Sequence, residues 1–316
     1  AQNIKNAASQ AAKAVKTLQA AHRFALTGTP IENRLSELWS IFDFLMPGYL
    51  HAYKRFRERF EAPIVQDADE QARQNLHLMV APFILRRMKQ DVLDDLPEKI
   101  ETVMTSEMTP GQAKVYHAYA EKLMQEAESE LADPQGRMKL LAGLTRLRQL
   151  CCDPRLCLEE YAAGSGKLDQ LIELAGGLAA QGRRMLIFSQ FTSMLALLEE
   201  ALHDAGLQTL KLTGETDKIE RMALVEQFNS GDIPVFLISL KAGGTGLNLT
   251  GADVVIHYDP WWNTAARNQA TDRAYRIGQT KGVQVFDLIA ADPIEERIVL
   301  LQQEKKALSD GVLLGE

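Results

Sequence analysis

Between Gln269 and Gln279 the chain reads Gln-Ala-Thr-Asp-Arg-Ala-Tyr-Arg-Ile-Gly-Gln, a run that carries two guanidiniums and an amide at helical spacing. At about 3.6 residues per turn, Gln269, Arg273 and Arg276 fall at i, i+4 and i+7 and share one face of a predicted helix. Two planar, permanently charged forks held side by side repel each other unless an anion sits between them, and a phosphate chain suits their geometry. The alternative is a solvated helix on which Asp272 and nearby acids balance the arginines. Spacing alone leaves both readings open.

A second anion-facing candidate is the loop Ser239-Leu-Lys-Ala-Gly-Gly-Thr-Gly-Leu-Asn248, which follows a predicted strand. Gly243, Gly244 and Gly246 let main-chain amides approach an anion closely, although a plain tight turn explains them equally well. A dinucleotide fingerprint is excluded, because the next glycine is Gly251 and a strand, not a helix, follows it. Gly164-Ser-Gly-Lys167 fails as a phosphate loop: Tyr161 stands where the first glycine belongs and Leu168 where a magnesium-binding hydroxyl belongs. No Gly-Lys-Ser/Thr occurs anywhere, and the acidic pairs Asp69-Glu70 and Asp94-Asp95 do not end a buried strand. Asp259 does close an apolar run, but Pro260-Trp261-Trp262-Asn263 follows it where a magnesium-bearing strand would carry a second acid. Both tryptophans read as core or as ligand contacts. Cys151, Cys152 and Cys157 match no common zinc spacing and read as reduced thiols at a helix end. The chain therefore has arginines suited to phosphate but neither a phosphate-binding lysine loop nor magnesium carboxylates.

The elements that must position these residues follow from periodicity. The 316 residues are enough for two domains, and 35 basic against 42 acidic residues give a net charge of −7, so any DNA contact must be local. No apolar run approaches a membrane span, and the alanine-rich start lacks the apolar centre of a signal peptide; a cytoplasmic protein with no membrane partner is expected. Asn6 to Ala20 reads as a helix, Arg23 to Thr27 as a short strand, and Leu35 to about Arg87 as helical throughout. Glu101 to Ser106 is strand-like, and Pro110 opens a long helix, with a second over Met138 to Leu150. Gly164-Ser-Gly166 reads as a hinge-like spacer. Beyond it, strands over 185–189, 209–212, 235–239, 254–258 and 283–289 alternate with helices over 167–180, 192–205, 218–229 and 264–275. Alternating apolar strands and helices predict an α/β fold, a parallel sheet with helices on both faces and its function at the strands' carboxyl ends. A last helix is expected over Pro293 to Leu308.

Five segments, taken in order, carry a resemblance: 26–50 (LTGTPIENRLSELWSIFDFLMPGYL), 83–99 (FILRRMKQDVLDDLPEK), 184–192 (RMLIFSQFT), 239–263 (SLKAGGTGLNLTGADVVIHYDPWWN) and 269–280 (QATDRAYRIGQT). As a set they resemble the latter part of a Swi/Snf-type ATPase, a helicase superfamily two DNA translocase. The resemblance implies a RecA-like second lobe over 164–316 with its terminal helix closing back, a connecting strand and helical insertion over 101–163, and a remnant of the first lobe with a helical protrusion over 1–100. It implies ATP and Mg²⁺ in the intact motor, with Arg273 and Arg276 as fingers on the γ-phosphoryl group and Gln269 beside it. Gly244, Gly246 and Asp272 would line the nucleotide cleft, while Thr27, Gly28, Thr29, Ser189, Gln190, Lys241, Gly243 and Thr245 would grip DNA phosphates. The implied activity is ATP-driven translocation on double-stranded DNA that displaces bound complexes; if the source is bacterial, RNA polymerase is among the plausible targets and the protein would be nucleoid-associated. A stand-alone DNA-binding or regulatory module, or a strand-separating helicase, are the alternatives. In the family, Ile-Lys-Asn closely follows the magnesium-binding acids; here Ala1-Gln-Asn-Ile-Lys-Asn6 opens the chain, so a fragment inactive by itself is expected. Thr264 departs from the family's usual proline, which alters the approach to the arginine segment and no chemistry.

Overall fold

Leucine and aromatic side chains recurring at i, i+3 and i+4 draw the first part of the chain into helices. These are α1 (Gln10–Lys16), α2 (Leu35–Leu45), α3 (Tyr53–Phe56), α4 (Ala62–Gln66) and α5 (Glu70–Val80), with a π-helical turn, Arg57–Glu61, joining α3 to α4. Ser9 and Asp69 cap α1 and α5 by accepting hydrogen bonds from the main-chain amides of Ala12 and Ala72. The computed structural model describes residues 1–316 except 33, 86, 88–96, 131–133, 244–245, 262, 292 and 315–316, and gives the backbone alone at 128–130, 134, 243, 293, 302–310 and 314. Residues 1–92, 263–265 and 301–316 form one compact unit, and residues 93–262 and 266–300 a second.

In the first unit Leu35, Leu38 and Phe42 meet Phe56, Phe60, Leu76 and Val80 in one core, completed by Val312 and Leu313. The expected strand over 23–27 does not form. A strand needs a neighbouring strand to take up its main-chain donors and acceptors, and no described strand pairs with this segment, whose Phe24 and Leu26 are 85% and 89% exposed. The first helix is also shorter than its sequence pattern, beginning only at Gln10.

The second unit is a six-stranded sheet: β1 (Lys99–Ser106), β2 (Met185–Ser189), β3 (Thr209–Leu212), β4 (Val235–Ser239), β5 (Val254–His257) and β6 (Val283–Ala290), all neighbours parallel, in the order β1-β6-β5-β2-β4-β3. The central strands β2, β4 and β5 are buried at every position, because helices cover both faces. The helices are α6 (Pro110–Glu130), α7 (Pro134–Cys152), α8 (Gly166–Ala180), α9 (Thr192–Asp204), α10 (Lys218–Ser230), α11 (Leu240–Gly243), α12 (Thr264–Thr271) and α13 (Pro293–Leu314), the last extending into the first unit's residues. Side chains of successive strand residues point to opposite faces. Met185 and Ile187 accordingly pack with Leu168 and Leu171 of α8 and Leu195 and Leu198 of α9. Leu186 and Phe188 pack on the other face with Phe228 of α10, Leu247, Leu249, Ala270 and Ala274.

Gly164-Ser-Gly166 is no hinge. Ser165 is 1% exposed, caps α8 and donates its hydroxyl to the Cys152 carbonyl at 2.7 Å. Gly166 lies so close under Glu107 that a Cβ there would stand 1.9 Å from the Glu107 carbonyl oxygen.

The chain leaves β2 toward β3 at one edge and leaves β5 toward β6 at the other. The sheet's topological switch therefore falls between β2 and β5, whose carboxyl ends deliver Ser189 and Asp259.

Candidate functional site

The arginine segment is not one helical face. α12 ends at Thr271, and the last bond of helical span runs from the Tyr275 amide to the Thr271 carbonyl at 3.1 Å. Arg273 and Ala274 donate to carbonyls three residues back, Arg276 donates to Ala274, and Gly278 takes φ +98°. The chain thus tightens into a turn that places the two guanidiniums independently of the 3.6-residue period. Tertiary bonds explain the departure. The Leu249 amide donates to the Arg273 carbonyl at 2.9 Å, and Gln279 draws the end of the turn inward.

Gln279 is 5% exposed. Its Nε2 lies 3.3, 2.7 and 3.1 Å from the carbonyl oxygens of Thr250, Ala252 and Ala274, and its Oε1 accepts from the Lys281 amide. Sequence reasoning passed over it; a glutamine directly after Gly278 was its only signal.

Arg273 is 9% exposed, and its buried Nε has no hydrogen-bond partner among the described residues. Burial, and then the charge of nearby Arg276, hold its guanidinium below the ordinary value, with Asp272 opposing both. The group still carries its charge at neutral pH. Arg276 is half-buried and donates from Nη1 to the Leu247 carbonyl at 3.1 Å, which joins the arginine turn to the glycine loop. Gly246 in that loop is exposed with φ +37°, and Gln269 is half-buried in the last turn of α12. Gly244 and Thr245 lie outside the described residues. Paired positive charge with an unsatisfied donor fits the terminal phosphates of a nucleotide. For Mg²⁺ the fit fails, since the described residues contain no cluster of acids or other ligands able to hold a metal.

A second constellation bridges the switch point. Asp259, 6% exposed, accepts from the Ser189 hydroxyl at 2.6 Å, from the Gln190 amide at 3.3 Å and from the Gln190 side chain. Burial raises its carboxyl above the ordinary value, opposed by Ser189, Arg148 and Lys167. Arg148, from α7, donates to the Pro260 carbonyl at 2.7 Å. Ser189 was expected to grip a DNA phosphate; at 1% exposure, with its hydroxyl turned onto Asp259, its side chain instead holds the loop. The side-chain amide of half-buried Gln190 gives one of its two N–H groups to the same carboxylate. Lys241 on α11 is exposed, with Gly243 at that helix's end. Trp261 is half-buried against the core, and Trp262 is outside the described residues.

Deeper still, Lys167 pairs with Glu295 at 1% and 0% exposure, and His257, stacked on Phe188, meets the Thr271 hydroxyl at 3.0 Å. Burial pushes His257 down to about 4, against the pull of Asp287. Arg267 on α12 makes a bidentate pair with Asp287, 2.9 Å at Nε, and reaches Glu101 on β1 at 3.2 Å, anchoring the helix that leads into the arginine turn. None of these pairings is visible in the sequence.

In the first unit, Thr27 accepts the Thr29 amide at 3.2 Å across an exposed Gly28, closing a tight turn. The Thr29 hydroxyl donates to Glu32 at 3.0 Å, as do Gln2 at 2.7 Å and Lys5 at 2.9 Å. Burial would raise the Glu32 carboxyl, but the bonds from Lys5 and Gln2 outweigh it and hold it below the ordinary value.

Comparison with known proteins gives this geometry a lineage. The SNF2-related domain matches residues 1–156 and the helicase conserved C-terminal domain residues 166–278. The chain is 43% identical over 324 residues to the Bacillus subtilis protein YwqA and 37% identical over 332 residues to the DNA excision repair protein CSB of Oryza sativa subsp. japonica. These alignments take in 100% and 98% of this chain but 35% and 28% of the relatives, so the chain spans about a third of their length. The Sulfolobus solfataricus SWI2/SNF2 ATPase core in complex with double-stranded DNA superposes with a TM-score of 0.59 at 37% identity, over 99% of this chain and 68% of that one. A C-terminal domain of the same ATPase matches 66% of this chain and 87% of its own with a TM-score of 0.57 at 30% identity. Its parallel sheet is RecA-like, and the chain belongs to the SWI2/SNF2 family of helicase-type ATPases.

Proposed function

We propose that this chain supplies the arginine side of the ATP site of a double-stranded DNA translocase. The observation that carries the reading is the buried, partly unsatisfied guanidinium of Arg273 beside Arg276, a charge pair that nothing among the described residues neutralises fully. Bound ATP would bring anionic phosphate oxygens to these donors. As water attacks the γ-phosphorus, charge grows on those oxygens, and donors already fixed in place stabilise it without reorganising. Gln269, Gly246 and Asp272 would flank the same phosphates. Mg²⁺ and the phosphate-loop lysine have no counterparts in the described residues, so this chain by itself would not turn over ATP.

Duplex DNA is the second ligand. Exposed Lys241 and the turn at exposed Thr27 and Gly28 are groups available for its phosphates, and Thr29, Gly243 and Thr245 are proposed to join them. Such contacts position without reading sequence. YwqA bears the name of an ATP-dependent helicase/translocase and the Sulfolobus core was solved on double-stranded DNA, which supports both halves of the reading. Movement along the duplex would displace bound protein complexes. In the full-length polypeptide, ATP hydrolysis should rise with duplex DNA and be lost in Arg273→Ala; retained turnover in that variant would refute the arginine role. Displacement of a triplex strand without unwinding of forked DNA would mark translocation and not strand separation.

A further inference from the structure

We infer that Gln279 is a positioning residue for the two arginines, fastening the turn that carries them to the loop segment 247–252; this rests on the phosphate role proposed for Arg273 and Arg276. Long side chains reach accurately only when their main chain is fixed. Three ties fix it here: the Leu249 amide to the Arg273 carbonyl, Arg276 to the Leu247 carbonyl, and Gln279 to Thr250, Ala252 and Ala274 together. The first two connect one point each. Gln279 joins two carbonyls of the segment to one of the turn through a single amide and also takes the Lys281 amide, so it closes the turn at its far end.

The chemistry requires a primary amide. Its two N–H groups serve three carbonyls, one of them shared, while its oxygen accepts from Lys281. Glutamate would set an acceptor against three acceptors. Methionine would fill the space and leave buried carbonyls without a donor. Exposed Asn229 repeats the device from α10, donating to the Asn248 carbonyl at 2.8 Å and accepting from the Gly251 amide at 3.1 Å. Two amide side chains, Gln279 from the arginine turn and Asn229 from α10, thus clasp the main chain of the segment at interleaved residues.

Positioning of transition-state groups should appear in kcat. In the full-length polypeptide with duplex DNA, Gln279→Met should lower kcat about 10- to 100-fold, the scale of a 1 Å misplacement. The KM for ATP should stay within about twofold, since ground-state binding is not removed. Gln279→Asn, which keeps the amide on a shorter arm, should recover part of the loss. Arg273→Ala reports separately on the underlying reading: if it retains kcat, the arginine role fails whatever Gln279 does. If Arg273→Ala is inactive while Gln279→Met melts normally with wild-type kcat, or shows only a raised KM, the positioning role fails alone. Should Gln279→Met not fold, Asn229→Ala decides. A severalfold lower kcat at an unchanged melting temperature supports the clasp, and an unchanged kcat overturns it.

Discussion

Arg267 and Arg273 stand six positions apart and have opposite fates. Arg267 is met by Asp287 and Glu101, and although burial alone would lower it, these carboxylates hold it above its ordinary value. Among the described residues Arg273 makes no ion pair of that kind, and burial and Arg276 prevail over the opposing Asp272. A matched buried guanidinium is an anchor; an unmatched one keeps donor capacity for a ligand, the role proposed for Arg273. The fold keeps the two roles separate by ending α12 between them.

The contrast breaks most decisively at Arg273. Its replacement by alanine should cost about 10³- to 10⁵-fold in ATP turnover by the full-length polypeptide, with a melting temperature no lower than wild type because an uncompensated charge has gone. Loss of folding instead of activity would make Arg273 an anchor as well. Arg267→Met should do the reverse, destabilising by about 3–5 kcal/mol in denaturant titration by stranding Asp287. Unchanged stability would remove the distinction between the two arginines.

A neutral buried partner beneath the same helix sharpens the comparison. The folded His257 value of about 4 lies below the usual 6.5, so as pH falls through that window the unfolded chain takes up the proton first. Its contribution is complete above pH 6.5 and fades toward pH 4, by about 3 kcal/mol in all. Stability measured across that range should therefore fall with pH, and the slope should flatten in His257→Gln. The smallest effect is expected at Ser189. Its alanine variant should cost about 1 kcal/mol in stability and leave DNA affinity at fixed salt unchanged, whereas a severalfold weaker affinity at an unchanged melting temperature would restore Ser189 as a phosphate contact.

The sheet was legible because its physics is periodic. Strands buried on both faces must be largely apolar, and β2 and β4 lie where their runs predict; β3, at the edge, shows the alternation of a half-buried strand. The site was legible only as a list of residue types. Helical spacing continues unbroken from Gln269 to Arg276, yet the helix stops at Thr271, because Leu249 and Gln279, bonded across the fold, offer better partners than the next turn would. Ser189 misled for a related reason: a polar residue at a strand's carboxyl end suggests an outward contact, and only the position of Asp259 turns it inward. At 23–27 the error was the opposite one, with strand-like composition but no described strand to pair with.

Gly166 sets a different kind of limit. With 1.9 Å between the Glu107 oxygen and the nearest place for a Cβ, every missense codon at this position adds atoms where a carbonyl already is. In a saturation library selected for folding, position 166 should accept glycine alone. Because the obstacle is a main-chain carbonyl, no change of side chain at Glu107 removes it, and the segment after β1 keeps its path over the first turn of α8 whatever residues it carries.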